Sequence, residues 1–321
     1  IENCLSPTVC VRSGVPQGSV LGPILFILYI NDVTDILVDD VSCKLYADDL
    51  KLYCPIVPTL GFSESLQTSL DNLCDWSLKW QLPINVDKSF FVTISRNNIC
   101  NCVHSYRILC SLLTRRFSVD DLGIAYDCNL CFDNYVNNIA SSAKAKVGLL
   151  FRSFKTRDPA LLKRAYVTYI RPKLEYASNL WNPFHKTTIA VLENVQRYFT
   201  RRIPSLSIFS YEERLAMLNL DTLEKRRLKS DLVLYYKILH GLSSIPASAF
   251  DTYNTCSVSR SKSSLLRKNI AGTQACYFSF FNRAVDCWNV LPSSLTDASS
   301  LSVFRSRLDM TDLSHYCTVL A

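Results

Sequence analysis

The chain has 321 residues, 48% of them hydrophobic and 20% charged, and no long biased or repeated stretch. That composition excludes disorder and fibrous repeats and fits two or three globular domains. The formal charge of +7 is uneven, because residues 1–100 hold 6 Lys/Arg against 11 Asp/Glu while residues 101–321 hold 29 against 17. An acidic first part beside a basic second part points to a metal-holding region next to a polyanion-gripping surface, although Lys/Arg-rich helical surfaces give the same imbalance without any ligand.

No basic segment leading into an apolar run opens the chain, and it has no initiator Met, so it reads as cut from something longer. The longest apolar stretch, Ser19 to Ile30, has 12 residues and contains Gly22 and Pro23. It is too short for a bilayer and reads as a buried helix, so no membrane partner is expected. The 14 cysteines scatter along the chain. Cys100/Cys102 and Cys128/Cys131 have ligand-like spacings, but the first pair is C-x-C with no glycine nearby, and cysteine is read as a small buried hydrophobe in a reducing, intracellular setting.

In chain order, Arg12 to Val33 opens as a loop punctuated by Gly14, Pro16, Gly18 and Gly22. It feeds a helix from about Pro23 to Asn31-Asp32. "CKLYADDLKLYC" (Cys43 to Cys54) follows, with Leu45, Ala47, Leu50 and Leu52 alternating on either side of Asp48-Asp49. This is a hairpin with the two acids at its tip. Leu66, Leu70, Leu73 and Trp80 have helical spacing over 63–80. Ile84 to Ser95 reads as a turn into a strand, and Phe117 to Asp127 as a second β segment, so residues 1–127 are α+β.

Beyond 127 the period becomes helical. Val136, Ile139, Ala143, Val147, Leu150 and Phe154 make one stripe. Asp158-Pro159 caps a second helix that reaches about Ile170. Ile189, Leu192, Val195 and Phe199 make another stripe, flanked by Arg197, Arg201 and Arg202. Ser210 with Glu213 is a capping box and Asp221 with Glu224 resembles one, ahead of a last long helix over 222–239 closed by Gly241. Residues 246–321 are Ser-rich and then aromatic, and read as a small satellite module.

Two adjacent carboxylates at a tight turn repel each other unless a cation sits beside them. The pair is either an ordinary solvated turn or a seat for divalent ions, which in-line phosphoryl transfer uses in twos. The preceding residues decide between these. "SGVPQGSVLGPILFILYIND" followed by "YADD" resembles the palm of a reverse transcriptase, specifically that of a non-LTR (LINE-type, jockey/CR1-like) retrotransposon. "DLGIAYD" is similar to the primer-grip hairpin of that family, and "RSFKTRDPALLKRAYVTYIRPKLEYASNLWNP" and "LENVQRYFTRRIP" are similar to its helical thumb. "FFNRAVDCWNVLPSSL…FRSRL" looks like its usual ending.

The resemblance implies an α+β partial polymerase palm over 1–127, an all-α thumb binding template–primer over 128–245 and a C-terminal extension over 246–321. It implies RNA-directed DNA synthesis from a primer 3′-hydroxyl with Mg²⁺ or Mn²⁺, using an RNA template, a DNA primer and dNTPs. The partners would be the upstream polymerase and endonuclease parts of the same polyprotein, in the nucleus during target-primed synthesis or in a cytoplasmic ribonucleoprotein. Asp48 would be a ligand of both metals and Asp49 the accompanying acid. Tyr46 and Ala47 would shape the site beneath the primer end, and Gly14, Pro16, Gln17 and Gly18 would line the template–nucleotide pocket.

Lys88 is either a solvated turn lysine or the group that neutralises the pyrophosphate leaving group. Arg197, Arg201 and Arg202 would hold phosphates, although a solvated helix face explains any single arginine equally well. Tyr166, Tyr169, Tyr176 and Trp181 are read as core rather than base-stacking platforms.

The family carries another metal-binding aspartate on a strand upstream of the Gly-x-Pro-Gln-Gly loop. Only eleven residues precede Arg12 here, with Glu2 their sole acid. The chain alone is therefore expected to lack polymerase activity. A non-catalytic nucleic-acid-binding relic is the alternative reading.

Overall fold

A computed structural model describes residues 14, 18–56, 62–94, 105–252, 265–270 and 272–318. The chain divides into two units, Ile1–Val119 and Asp120–Ala321.

In the first unit, the Ser19 hydroxyl accepts the Gly22 N–H at 3.0 Å and helix α1 (Gly22–Ile30) begins there, with Pro23 in its first turn where a missing N–H costs nothing. A 3₁₀ segment, Asn31–Ile36, continues it. Strands β1 (Ser42–Tyr46) and β2 (Asp49–Tyr53) form an antiparallel hairpin in which Leu45 faces Leu50 and Tyr46 faces Asp49. The tip is thus Ala47-Asp48, one residue earlier than the Asp48-Asp49 tip expected from the sequence, and Asp49 already belongs to a strand. Ala47 takes φ +53°, the left-handed conformation needed at the first position of such a turn.

Helix α2 (Glu64–Lys79) is capped by Ser63, whose hydroxyl accepts the Leu66 N–H. It backs the hairpin with two sides. Leu70 and Cys74 join Leu52, Tyr106, Ile108 and Leu113 in one small core, while Leu73 and Trp76 join Ile30, Val33 and Leu50 in another. The apolar face of the hairpin therefore lies inward. Tyr46, Asp49 and Tyr53, on the opposite face by strand alternation, are exposed.

Past a 3₁₀ turn, Val86–Lys88, β3 (Phe90–Phe91) pairs parallel with β6 (Thr114–Arg115), and β4 (Arg107–Ile108) pairs with β5 (Ser111–Leu112). β7 (Ser118–Asp121) pairs with β8 (Ile124–Asp127). The turn between these last two uses Leu122 at φ +50° and Gly123 at φ +79°, the pair of positive values a two-residue type I′ hairpin needs.

The apolar stretch expected to be a buried helix forms as a helix but lies largely in the open. Only Gly22 and Ile30 of α1 are buried, while Leu28 is 69% exposed. Apolar side chains all round a helix give it no face to turn outward, so packing α2 against one side leaves the rest uncovered.

The second unit is almost entirely helical. α3 (Asp133–Ser153), α4 (Pro159–Tyr169), α5 (Arg171–Glu175), α6 (Ser178–Trp181), α7 (Lys186–Arg201), α8 (Tyr211–Leu218) and α9 (Leu223–Leu239) follow in order. The expected stripes close one core. Val136, Ile139, Ala143, Val147 and Leu150 of α3 meet Leu192, Val195 and Phe199 of α7 there. Asp158 caps α4 through the Leu161 N–H at 2.9 Å, and both arms of the Ser210–Glu213 capping box form at α8.

At α9 the cap is Thr222 rather than Asp221, whose carboxylate pairs with Lys225 and Lys229 instead. Gly241 follows the end of α9 at φ +67°. Of the four aromatics expected in the core, Tyr166 and Trp181 are buried, but Tyr169 and Tyr176 are more than half exposed.

Residues beyond 246, read as a small satellite module, pack onto α9. β9 (Asp251–Thr252) pairs with β10 (Leu266–Arg267). The short helices α10 (Gln274–Tyr277), α11 (Phe280–Arg283), α12 (Val285–Val290) and α13 (Ser293–Thr296) lead to α14 (Leu301–Met310). Phe250, Val285, Trp288, Phe304 and Leu308 cover Leu232, Tyr235, Tyr236 and Ile238 of α9 in a second core. Helix α9 therefore serves both cores, and the carboxylate of Asp231 at its middle receives two hydrogen bonds from the Arg283 guanidinium, each 2.7 Å long.

Candidate functional site

The hairpin presents its acids openly. Asp48 and Asp49 are both exposed, and among the described residues neither side chain makes an ion pair or hydrogen bond. Both are hard oxygen donors of the type Mg²⁺ prefers, and Mg²⁺ needs only one or two protein carboxylates beside water and phosphate oxygens. The donor chemistry fits a divalent ion. No group of three or more His, Cys, Asp or Glu gathers as a metal site among the described residues. Tyr46 and Ala47 stand at the same tip, Tyr46 directly across from Asp49.

Lys88 ends the 3₁₀ turn, its backbone N–H donating to the Asn85 side chain at 3.2 Å, and its own side chain is exposed. Its turn and the hairpin share a footing, since Val86 and Leu52 pack on the same small core. Gly14 and Gly18 both take φ +84°, a conformation that L side chains rarely adopt, with open space where a Cβ would project. Pro16 and Gln17 lie outside the described residues, as do Glu2, Cys100 and Cys102.

The arginines form two groups rather than one. Arg197 lies face-on to the Tyr211 ring, 4.3 Å from its centroid. Arg202 sits against Phe151 and Tyr198, at 5.0 and 5.3 Å from their ring centroids, and donates to the Tyr198 hydroxyl. Arg201, four residues from Arg197 and one helical turn on, shares its side of α7 and is exposed.

Beneath Arg197 lies a polar network that sequence reasoning missed. Glu193, 1% exposed, accepts from the Tyr211 hydroxyl and from the Leu223 N–H at 3.0 Å. It thereby caps α9 from α7. Gln196 donates to the Tyr211 hydroxyl at 3.1 Å and accepts from the Tyr166 hydroxyl at 3.0 Å. Burial pushes the Glu193 carboxyl above its ordinary value, against the lowering effect of Tyr211, Arg227 and the Leu223 N–H.

Arg227 is itself 1% exposed. Its Nε donates to Asn182 at 2.8 Å, but both Nη atoms lack a hydrogen-bond partner among the described residues. Desolvation lowers its pKa, opposed by the charges of Glu193, Glu224, Asp231 and Glu175. The available signal was the pair of polar residues, Glu193 and Gln196, inside an otherwise apolar stripe. Buried polar groups at such positions imply partners.

Comparison with known proteins bears chiefly on the first part of the chain. Residues 2–134 match the family model described as reverse transcriptase (RNA-dependent DNA polymerase). The RNA-directed DNA polymerase from mobile element jockey of Drosophila funebris is 27% identical over 211 residues, covering 63% of this chain and 23% of that protein. The probable RNA-directed DNA polymerase from transposon X-element of Drosophila melanogaster is 25% identical over 214 residues, covering 62% of this chain and 22% of that one. An uncharacterized protein of Caenorhabditis elegans is 32% identical over 126 residues, 38% of this chain and 64% of that protein. The chain thus spans under a quarter of the length of these two polymerases. No solved structure matches.

Proposed function

We propose that this chain, whose residues 2–134 match the reverse transcriptase family model, is part of the RNA-directed DNA polymerase of a non-LTR retrotransposon. The observation that carries the reading is the hairpin: two adjacent carboxylates with no partner among the described residues, on a hairpin whose Leu50 and Leu52 pack against α2. Residues 1–127 act as a palm portion, 128–245 as a thumb on the template–primer duplex, and 246–321 as an extension. The remaining polymerase and endonuclease parts belong to the same longer polypeptide, and synthesis takes place on chromosomal DNA.

Asp48 and Asp49 would hold Mg²⁺ or Mn²⁺, which when bound supplies Lewis-acid activation of the primer hydroxyl and charge neutralisation at the departing pyrophosphate. The protein's own part is positional. Tyr46, paired across from Asp49, floors the primer end. Gly14 and Gly18, with Pro16 and Gln17 between them, let the backbone approach the template–nucleotide pair closely. Lys88 places a positive charge for the leaving phosphates.

A second reading is favoured by the tight packing of the second unit: a nucleic-acid-binding protein that keeps the grip without the transfer. The test replaces the matched stretch of the jockey polymerase with this chain and measures primer extension on an RNA template. Mg²⁺-dependent incorporation that Asp48→Ala abolishes supports the polymerase reading. Duplex binding without any incorporation supports the second.

A further inference from the structure

Two corners of the second unit are turned by residues that rarely take the conformation they hold. Leu122, at the first position of the β7–β8 turn, sits at φ +50°, and Ala177, between α5 and α6, at φ +48°. That conformation brings a Cβ against the following carbonyl oxygen, and it persists only where the surroundings fix it. Asn, Asp or Gly is the usual residue at the first position of such a turn, so a leucine there calls for a reason.

The two corners are joined. Tyr176, the residue before Ala177, donates from its hydroxyl to the Leu122 carbonyl oxygen at 3.1 Å, 54 positions away in the chain. The Tyr176 backbone is itself fixed. Its N–H donates to the Pro172 carbonyl at 2.9 Å, and its own carbonyl accepts from Nε1 of Trp181, 1% exposed, at 2.8 Å. On the other strand, Ile124 of β8 is buried in the helical core and Ala125 packs against the same core.

The hairpin is thus tied to the helices through a strand and through its turn, yet the second tie lies in the open. Tyr176 is 54% exposed and Leu122 44%. Neither side chain fills a core, so packing accounts for neither. The bonded carbonyl belongs to the central peptide of the turn, whose rotation would convert a type I′ turn into a type II′ turn. The tyrosine hydroxyl selects the first.

We propose that Tyr176 is a positioning residue for the primer strand: it locks the β7–β8 turn, and the locked turn presents Leu122 to the strand being extended. The proposal rests on the polymerase reading of the chain. Tyr176 touches no reacting atom and acts through the turn. With the central peptide held, the exposed leucine keeps one direction, and an apolar side chain suits the uncharged faces of the sugars.

Hydrogen–deuterium exchange on the whole chain reads the latch. Tyr176→Phe is expected to speed exchange of peptides spanning 118–127 by about three- to tenfold, the scale of one net hydrogen bond, and to leave peptides of α3 unchanged. para-Aminophenylalanine at position 176 keeps a donor and is expected to restore slow exchange. Single-turnover primer extension by the jockey graft reads the role. Tyr176→Phe is expected to lower the rate constant at saturating duplex by a similar factor, and para-aminophenylalanine to restore it. A merely structural loss would instead lower the amplitude, by reducing the folded fraction, at an unchanged rate constant.

Unchanged exchange in Tyr176→Phe overturns the latch. Faster exchange with an unchanged rate constant overturns the positioning role and leaves the polymerase reading standing. No incorporation by the unaltered graft overturns the polymerase reading and the positioning role together, whatever the exchange shows.

Discussion

Helices α1 and α7 show how differently the two units treat apolar sequence. α1, Gly22–Ile30, is apolar at every position yet buries only Gly22 and Ile30. α7, Lys186–Arg201, is polar at more than half its positions yet buries eight residues, Glu193 and Gln196 among them. What organises a helix is the period of its apolar residues rather than their number. Only α7 has a stripe that can meet a partner while leaving a face to water. The same contrast extends to function. Asp48 and Asp49 of the first unit stand in solvent with no hydrogen bond or ion pair among the described residues, whereas Asp231, Glu193 and Arg202 of the second are paired, buried or stacked.

The comparison breaks most visibly at Asp231. Its side chain is 1% exposed and that of Arg283 11%, so Asp231→Ala leaves a buried guanidinium unpaired and should cost about 3–5 kcal/mol. A urea unfolding curve followed by helical circular dichroism reads this out. A loss below about 1 kcal/mol would mean that α11 is not held to α9 by this pair.

Leu192→Ala, in the fully buried stripe, should cost about 2–5 kcal/mol by the same measurement. Equality between this loss and that of an exposed leucine would undo the contrast between the helices.

A smaller effect is the pH dependence around Glu193. Its folded pKa is raised by burial above the ordinary 4.5, so the folded chain holds this proton more tightly than the unfolded one. The stability this contributes is fully present below 4.5 and is lost as pH rises through the folded value. Asp221 runs the other way. Burial raises its pKa, but the hydrogen bond and charge of Lys229 and then Lys225 more than offset that. Its stabilisation is therefore present above its ordinary 3.8 and fades as the pH falls. Glu193→Gln should gain stability relative to the unaltered chain as pH rises from 4.5 towards neutrality, while Asp221→Asn should lose the acid-side dependence. A pH-independent difference for Glu193→Gln would contradict the burial of that carboxylate.

The smallest change is expected at Leu28, 69% exposed on α1. Leu28→Ala should alter stability by no more than about 0.5 kcal/mol, and a larger loss would show that α1 is covered.

Much of this was legible in the sequence, and the misses have local physical reasons. The stripes of α3 and α7, the Asp158 cap and the Ser210–Glu213 box follow from periodicity and hydrogen-bonding chemistry that act within one turn. The hairpin tip was misplaced by one residue because the apolar pattern fits both registers: an Asp48-Asp49 centre opposes Leu45 with Leu52 and Ala47 with Leu50, and the observed Ala47-Asp48 centre opposes Leu45 with Leu50 and Cys43 with Leu52. At α9, Thr222 rather than Asp221 caps because two lysines on the helix engage the Asp221 carboxylate. The joining of residues beyond 246 to α9 depends on Arg283 meeting Asp231 across 52 positions, which no local pattern encodes. The split of Arg202 from Arg197 turns on the aromatic rings each one meets.

The central claim is a division of labour, with transfer chemistry at Asp48 and Asp49 and grip on α7. Its most direct test is the single-turnover incorporation rate of the jockey graft as a function of duplex concentration. The account predicts that Asp48→Ala abolishes the rate at saturating duplex without shifting the half-saturation point. It predicts that Arg201→Gln shifts that point to higher concentration and leaves the saturated rate unchanged. Both substitutions acting on the same parameter would contradict it.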